Sequence, residues 1–423
     1  MQPPAPVPTL PDELIEEVFL RFPPDEPACL VRASLSSKLW LCLLFGPAFR
    51  RRYRDFHGAP PMLGFVYSCR EREEPVPRFV STTKFGACIP DDDVWDHEYA
   101  PSPWDCRHGR VLFGASCFPR VFVVWDPMTG CLRQLAAPKG YANQWAAVLC
   151  AERDCDHHTC HKGTFRVVFI ALHNTGSGCV AYECLSSAEW STPYSRRHCV
   201  EWIETCDGLR HLPDDACIEP RPPALVEDAL HFVLAFLDDD HVAILKYDLS
   251  SKDLSLIDAQ LADANIATTT ILMAMEDGSL GFAYMDGSTF YMWSMQMSFD
   301  GVSAWGYRTA IKLKEILPIQ NPNEKLQLIG SVEGGDTIYV NTIDLGIYEV
   351  NVKSLLWKKL WKNENICALI PYMSFYNRQE RAIPSDAAHS QYMAEYVVGV
   401  GKKFIIHGYN EPQFELADIL HVM

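Results

Sequence analysis

The segment VFVVWDPMTGCLRQL, from Val121 to Leu135, holds the repeated unit that decides the fold. Its apolar, β-branched start favours a strand, the residues from Asp126 to Gly130 are typical of a turn, and a second apolar run follows. Similar units occur further along the chain, in CVAYECLSSAEWS, VAILKYDLSSKDLSLI, FYMWSMQMSFDGVSAWGYRTAIKL and GIYEVNVKSLLWKKL. The segment therefore predicts β-hairpins that recur through most of the chain.

The spacing of these units fits the blades of a β-propeller. Equivalent aromatic positions lie 57, 65, 46 and 55 residues apart, at Trp125, Tyr182, Tyr247, Trp293 and Tyr348. A four-stranded blade takes about 40 to 50 residues and buries its faces only against neighbouring blades. Inner strands are expected in RHGRVLFGAS, ALVEDALHFVLAFL, LGFAYMDG and DTIYVNTIDL. With a further unit from Met62 to Phe85, the pattern predicts about six blades.

The beginning of the chain has a helical pattern instead. In LPDELIEEVFLRF, from Leu10 to Phe22, apolar side chains recur at helical period, at Leu14, Ile15, Val18, Phe19 and Phe22. Three more short helices are expected before residue 57. Such a small bundle is marginal alone, so we expect part of its apolar surface to meet a partner.

The sequence thus predicts an α+β multidomain chain, with a small N-terminal all-α module followed by a large all-β domain. The predicted divisions are a flexible proline-rich N-terminus at 1–9, a helical module at 10–57, a propeller-like domain at 58–376 and a C-terminal segment at 377–423. The last segment is expected to form a loop and a possible hairpin in YVVGVGKKFIIHG.

Charge argues against nucleic acid as a partner. The chain has 37 basic and 54 acidic residues and a net charge of −17. Residues 1–57 carry seven of each sign, so the acidic excess lies downstream. The basic run from Arg50 to Arg54 allows a nuclear signal or phosphate patch, but the solvated face of a helix is the preferred interpretation.

Composition also bears on location. The N-terminus lacks the basic start and apolar core of a signal peptide, and no apolar run approaches the length of a membrane span. Sixteen cysteines without a regular framework are typical of reduced thiols. We therefore expect the cytoplasm and/or nucleus, with no membrane partner.

The residues from Leu10 to His57 carry a family resemblance. The Leu-Pro-x-Glu-Leu opening, Leu30-Val31-Arg32, Lys38-x-Trp40 and a closing Pro-x-Phe-Arg-Arg run resemble the F-box of plant, especially grass-type, F-box proteins. The resemblance implies that these helices bind the Skp adaptor of a cullin ubiquitin ligase. Together with the helical period it assigns the adaptor-binding residues, namely Leu10, Pro11, Leu14, Ile15, Val18, Leu30, Val31, Leu39 and Trp40.

One position departs from the family pattern. The family usually has Val-Cys before Lys-x-Trp, whereas this chain has Ser36-Ser37. Buried hydroxyls need hydrogen-bond partners, so this change is expected to weaken adaptor binding.

The resemblance continues from Met62 to Tyr376. WDPMTG, LVEDALHFVL, DGSLGF, IGSVEGGDTIYVNT and PYMSFY are similar, in that order, to segments of the F-box-associated β domain. This implies a non-catalytic substrate-recognition subunit of an SCF-type ubiquitin ligase whose β domain binds an unknown target protein. The alternative is a propeller-type interaction module that acts outside ubiquitination.

Motifs for other chemistry are weaker. CDHHTCH, from Cys155 to His161, has zinc-ligand residue types but lacks a second pair at recognised spacing, so a polar loop is preferred and no metal or cofactor is predicted. GASCF, from Gly114 to Phe118, lacks the final glycine of a nucleophile elbow. SVEGGDT is interpreted as a hairpin turn, and the acidic runs at 91–93 and 238–240 as solvated loops. No catalytic residue is predicted.

Overall fold

The structure, a computed structural model, describes residues 11–375 with internal gaps. The gaps are 70–78, 84, 88–101, 115–120, 139, 142, 153–154, 156–162, 173–177, 187–202, 211, 213–215, 237–240, 260–268, 298–302, 322 and 363–365. The chain divides into two compact units, one of Met1–Gly64, Ser81–Cys88 and Met373–Met423, the other of Phe65–Val80 and Ile89–Tyr372. The predicted N-terminal segment 1–9 and the predicted hairpin within 377–423 lie outside the described residues.

Four short helices belong to the first unit. They are α1 Asp12–Leu20, α2 Pro27–Ser36, α3 Lys38–Phe45 and α4 Pro47–His57. Helices α2 and α4 begin with proline, whose fixed φ suits the first turn and whose missing N–H leaves no helical bond unmade. The Ser37 side chain caps α3 by accepting a hydrogen bond from the Trp40 N–H at 3.1 Å.

These helices share a small apolar core. The buried Phe19 ring of α1 meets the Trp40 ring of α3 edge-on, with 5.1 Å between centroids, and the Phe22 ring at 5.5 Å. The other buried members of the core are Leu20, Ala33, Leu44, Phe49, Tyr53 and Phe375. Phe375 lies more than three hundred positions from the helices, so a distant part of the chain completes their core.

The rest of the described chain is mainly strand, in six sheets. The first sheet consists of β3 Ser102–Arg107, β4 Arg110–Gly114, β5 Val121–Trp125 and β6 Leu132–Ala136, and the second of β7 Asn143–Cys150, β8 Phe165–Leu172, β9 Gly178–Ser186 and β10 Ile203–Arg210. The third sheet consists of β11 Ala216–Ile218, β12 Ala224–Val226, β13 Ala229–Phe236, β14 His241–Asp248 and β15 Leu254–Asp258. The fourth consists of β16 Ile271–Ala274, β17 Leu280–Asp286, β18 Thr289–Met297 and β19 Ser303–Lys312, and the fifth of β20 Leu326–Ser331, β21 Thr337–Thr342, β22 Gly346–Asn351 and β23 Trp357–Trp361. A short helix, α5 Leu313–Ile316, joins the fourth and fifth sheets.

The sixth sheet joins the two ends of the strand region. Its members, in order across the sheet, are β2 Phe79–Ser81, β1 Met62–Cys69 and β24 Ile366–Met373. Early strands of neighbouring sheets pack side by side, as β3 does with β7, β12 with β16, and β16 with β20. The six sheets are therefore the blades of a β-propeller, whose last blade combines the earliest and latest strands. The prediction of about six blades is confirmed, and the identity of the helices as an F-box module stays a prediction.

The aromatic positions used to find the repeats lie at equivalent places in the fold. Trp125, Tyr182, Tyr247, Trp293 and Tyr348 fall in β5, β9, β14, β18 and β22. Each of these strands follows the principal central strand of its blade, so the spacing of the aromatic residues reports the blade repeat correctly. The runs predicted as inner strands form β4, β13, β17 and β21, which have a neighbouring strand on both sides.

A shared turn explains why the repeat is visible in the sequence. After β5, the Asp126 carboxylate accepts a hydrogen bond from the Met128 N–H, and its carbonyl accepts one from the Gly130 N–H at 2.9 Å. Asp248 at the end of β14 and Asn351 at the end of β22 make the same pattern. The fifth position is left-handed in all three turns, with φ of 74° at Gly130, 64° at Lys252 and 58° at Leu355.

Candidate functional site

The predicted adaptor-binding residues differ in their accessibility. Leu14 on α1 and Leu39 on α3 are 51% and 56% exposed. Pro11 is also exposed, Val31 is buried, and the half-buried members of the set are Ile15, Val18, Leu30 and Trp40. Leu10 lies outside the described residues. Val31 therefore supports the helices from inside and offers no surface to a partner.

Helix α1 divides its apolar residues between two faces. Ile15, Phe19 and Phe22 pack in or against the helix core. Leu14 is exposed, and Val18, one turn further along, is half-buried. The sequence predicted one apolar stripe for all five residues. In the structure one side of the stripe packs in the helix core, and the other includes the exposed Leu14.

The α3 helix has the same division. Trp40 is held edge-on against Phe19, while Leu39 points to solvent. Because Trp40 contributes to the helix core, a change at Trp40 alters folding as well as any surface. Leu14 and Leu39 are therefore the cleaner sites for testing a binding role.

The basic helix α4 is fastened to α1 by polar contacts. The Tyr53 hydroxyl donates to the Phe22 carbonyl at 2.7 Å, and His57 Nε2 lies 2.8 Å from the Leu20 carbonyl oxygen. These contacts satisfy carbonyl groups at the end of α1 that have no helical donor. Burial raises the pKa of the Tyr53 hydroxyl, which keeps it protonated as a donor.

Exposed charges join the same two helices. Arg52 contacts Glu17 at 2.6 Å and Glu16 at 2.7 Å, and the hydrogen bonds that its guanidinium donates to these two carboxylates raise the pKa of Arg52. Part of the basic run thus pairs with acidic residues of the same helical unit. Arg51 of the run is exposed, consistent with a solvated helix face.

The two serines that depart from the family pattern have local partners. Ser37 caps α3 as described, and the Ser36 hydroxyl donates to the Arg32 carbonyl at 3.3 Å. Both side chains are exposed. The hydroxyls therefore carry no unsatisfied burial cost in the free chain.

In the propeller unit, charged side chains from distant blades meet near the innermost strands. The Arg107 guanidinium donates to Asp105, on the same strand β3, and its Nε lies 3.0 Å from a Glu333 carboxylate oxygen in the turn after β20. Arg107 also donates to the Pro223 carbonyl, before β12. One side chain thus ties three blades together.

The carboxylates of this cluster extend it to further blades. Asp105 accepts a hydrogen bond from the Val148 N–H of β7 at 2.9 Å, and Glu333 accepts one from the Leu225 N–H of β12 at 2.9 Å. Next to Glu333, the Gly334 N–H donates to the Ala274 carbonyl of β16 at 2.9 Å. The cluster and its neighbour therefore connect the first five blades.

Burial shapes the ionisation of the cluster. Burial raises the pKa of the Asp105 carboxyl to about 6, against the opposing effect of Arg107. Burial alone would lower the pKa of Arg107, but the charges of Asp105 and Glu333 outweigh it, so the pKa is raised. Arg107 is therefore fully charged at neutral pH.

A second buried arginine reaches the sixth blade. Arg221, between β11 and β12, donates from Nη1 to the Cys367 carbonyl of β24 at 2.9 Å and to the Leu328 carbonyl of β20 at 3.3 Å. Each guanidinium nitrogen of Arg107 likewise donates to a partner in the chain. These two arginines therefore hold the blades together.

This cluster is not among the sites predicted from the sequence. Asp105 and Arg107 are two residues apart on a strand, a spacing that places both on one face and offers a local signal. Glu333 lies 226 positions from Arg107, and only the folded propeller brings them together.

The structure describes only some of the remaining sequence motifs. SVEGGDT forms the turn of the β20–β21 hairpin, as expected. Of CDHHTCH only Cys155 is described, and the two acidic runs and 115–120 lie outside the described residues. Among described residues, no group of three or more His, Cys, Asp or Glu side chains is placed to hold a metal ion. No described helix has the length and apolar character needed to span a membrane.

Comparisons with known proteins identify no family. No protein-family model and no curated protein matches the chain. Similar solved structures include TolB from Acinetobacter baumannii, with a TM-score of 0.36 and 12% identity over 76% of this chain and 69% of TolB. A quinonprotein alcohol dehydrogenase-like protein from Bacteroides thetaiotaomicron has a TM-score of 0.34 and 12% identity over 72% of this chain and 64% of its own.

Prolyl oligopeptidase B from Galerina marginata is another such structure. Its TM-score is 0.33 and its identity 8%, over 61% of this chain and 33% of the peptidase. This chain therefore matches about a third of the peptidase's length. Likeness at these values assigns no activity, substrate or partner.

Proposed function

We propose that this chain is the substrate-recognition subunit of an SCF-type ubiquitin ligase. Helices α1 to α4 act as an F-box that binds the Skp adaptor and through it the cullin, and the propeller binds an unknown target protein. The chain catalyses nothing itself. It raises the local concentration of target lysines beside the ubiquitin-conjugating enzyme.

The observation that carries the proposal is the exposure of Leu14 and Leu39 on helices whose sequence resembles the F-box. Each leucine leaves about half of its surface in water. Covering that surface contributes about 1 kcal/mol per side chain to binding. The half-buried Ile15, Val18 and Trp40 add contact area beside them, as expected for apolar anchors in a helix-packing interface.

The serine pair is compatible with this role. The Ser36 hydroxyl donates to the Arg32 carbonyl and the Ser37 oxygen accepts from the Trp40 N–H, so the partner needs to offer an acceptor to the Ser37 O–H. Their cost is the loss of the apolar contact that Val-Cys gives in the family. We expect weaker adaptor binding than in a protein with the family residues.

Co-purification with the Skp adaptor tests the proposal. Wild-type chain should retain the adaptor, and a Leu14→Asp, Leu39→Asp double variant should lose it because two charges then face an apolar partner. Phe56→Asp is the matched control, since Phe56 on α4 is 54% exposed and lies outside the assigned face. Failure of the wild-type chain to retain adaptor contradicts the proposal and favours an interaction module outside ubiquitination.

A further inference from the structure

Strand β23 of the fifth blade has a basic and apolar surface that the proposed function does not use. Residues 353–362 read KSLLWKKLWK, with four lysines and no acidic residue, in a chain of net charge −17. In the described part of the chain, β23 is the terminal strand of its sheet and pairs with β22 alone. Its outer edge therefore presents backbone N–H and C=O groups, as a strand-adding partner requires.

Apolar side chains lie open beside this edge. Leu356 is 73% exposed and Trp357 is 40% exposed. The Trp357 ring rests edge-on against Tyr348, with 5.6 Å between centroids, so one part of the ring is anchored and the rest is free. Short length and lysine residues, both present in β23, protect an edge strand from pairing, but an exposed Trp and Leu have no part in that protection.

The charges select the kind of partner. Lys358 contacts Glu349 at 3.1 Å, and Lys353 contacts Asp336 at 2.8 Å and also Glu276. Lys359 and Lys362 are exposed, with the Lys362 ammonium 6.0 Å from the centroid of the Trp361 ring. A second copy of this strand would bring lysines against lysines, which disfavours pairing between copies. The same lysines attract an acidic segment. The rest of the chain has a net negative charge, so β23 is a site where such a segment meets positive charge.

We propose that β23 binds an extended acidic peptide segment of a partner protein, which adds to the blade as a fifth strand. Backbone hydrogen bonds to the outer edge of β23 hold the segment, and its carboxylates lie beside Lys359 and Lys362. One apolar side chain of the segment covers Leu356 and Trp357. The inference concerns the propeller unit alone and stands whether or not the helices bind the Skp adaptor.

Fluorescence anisotropy with the full chain tests the proposal. The probe is a labelled peptide of alternating Glu and Val, about twelve residues long, compared with a version that has Lys in place of Glu. A third version carries an N-methyl group on every residue, so neither of its edges has the N–H groups that a strand ladder needs. The acidic peptide should bind saturably and more weakly as salt is raised, and the other two versions should not bind.

Charge reversal locates the site. Lys359→Glu with Lys362→Glu should weaken binding of the acidic peptide about tenfold, because two attractions become repulsions. Lys312→Glu with Lys314→Glu makes the same change in net charge at β19 and α5 and should leave the affinity unchanged.

Four outcomes overturn the inference. They are no saturable binding of the acidic peptide, equal loss in the two double variants, undiminished binding of the N-methylated peptide, and self-association of the wild-type chain that is lost when Lys359 and Lys362 are reversed. The last result assigns the edge to a second copy.

Discussion

The propeller centre and the surface of helices α1 and α3 use their side chains in opposite ways. At the centre, Arg107 donates to Asp105, Glu333 and the Pro223 carbonyl, so its charge is satisfied within the chain. On the helices, Leu14 and Leu39 leave about half of their surfaces in water. The first region is complete without a partner, whereas the second gains from one. A convergence of charged residues therefore marks structure here, and exposed apolar residues mark the candidate binding surface.

The largest effect on stability is expected from removing the Arg107 guanidinium at the propeller centre. Arg107→Met removes the cation that contacts both Asp105 and Glu333, so the free energy of unfolding should fall by about 3 to 5 kcal/mol. Urea unfolding followed by tryptophan fluorescence measures the change. Arg51→Met, at an exposed arginine of α4, should leave stability essentially unchanged. Equal midpoints for the two variants would show that the centre is not a structural clamp.

The contribution of the buried Asp105 carboxyl to folding stability should depend on pH. Because burial raises the folded pKa of Asp105 to about 6, the folded chain holds this proton more tightly than the unfolded chain. The stabilisation that the raised pKa of Asp105 gives to the folded chain is fully present below the pKa of the unfolded chain, about 4. It is lost as the pH rises through about 6. Wild type relative to Asp105→Asn should therefore lose up to about 3 kcal/mol between pH 4 and pH 7. A difference between the two proteins that stays constant with pH contradicts this.

The smallest effect on stability is expected at Leu355, in the turn after β22, which belongs to neither of the two regions compared. Leu355 has φ of 58° at the position that Gly130 fills in the first blade with φ of 74°. Leu355→Gly should raise stability by up to about 1 kcal/mol, because glycine adopts this conformation without a clash, and should move the thermal midpoint upward by a few degrees. Gly130→Ala is the reverse experiment and should lower the midpoint. If both changes move the midpoint downward, the turns do not share one backbone requirement.

The propeller could be predicted because its signal is local and repeated. Asp126, Asp248 and Asn351 each shape a turn through hydrogen bonds to residues two to four positions later, so the pattern recurs in the sequence of the first, third and fifth blades. Ring closure by β1 and β24 depends on strands about three hundred residues apart and leaves no such signal.

The candidate sites show the same limit. Helical period placed Leu14 and Phe19 on one apolar stripe but did not separate them, because packing against α3 decides which residue is buried. The pairing of Arg107 with Glu333 also depends on the assembled ring. The basic surface of β23 is readable as KSLLWKKLWK, yet its position at the sheet edge is known only from strand order.

The dissociation constant for purified Skp adaptor and the full chain tests the central claim most directly. Leu39→Asp should weaken binding at least about tenfold while Phe56→Asp, which removes a similarly exposed apolar side chain from α4, binds like wild type. Equal affinities for wild type, Leu39→Asp and Phe56→Asp, or no measurable binding by wild type, would contradict the assignment of the open helix surface to an adaptor.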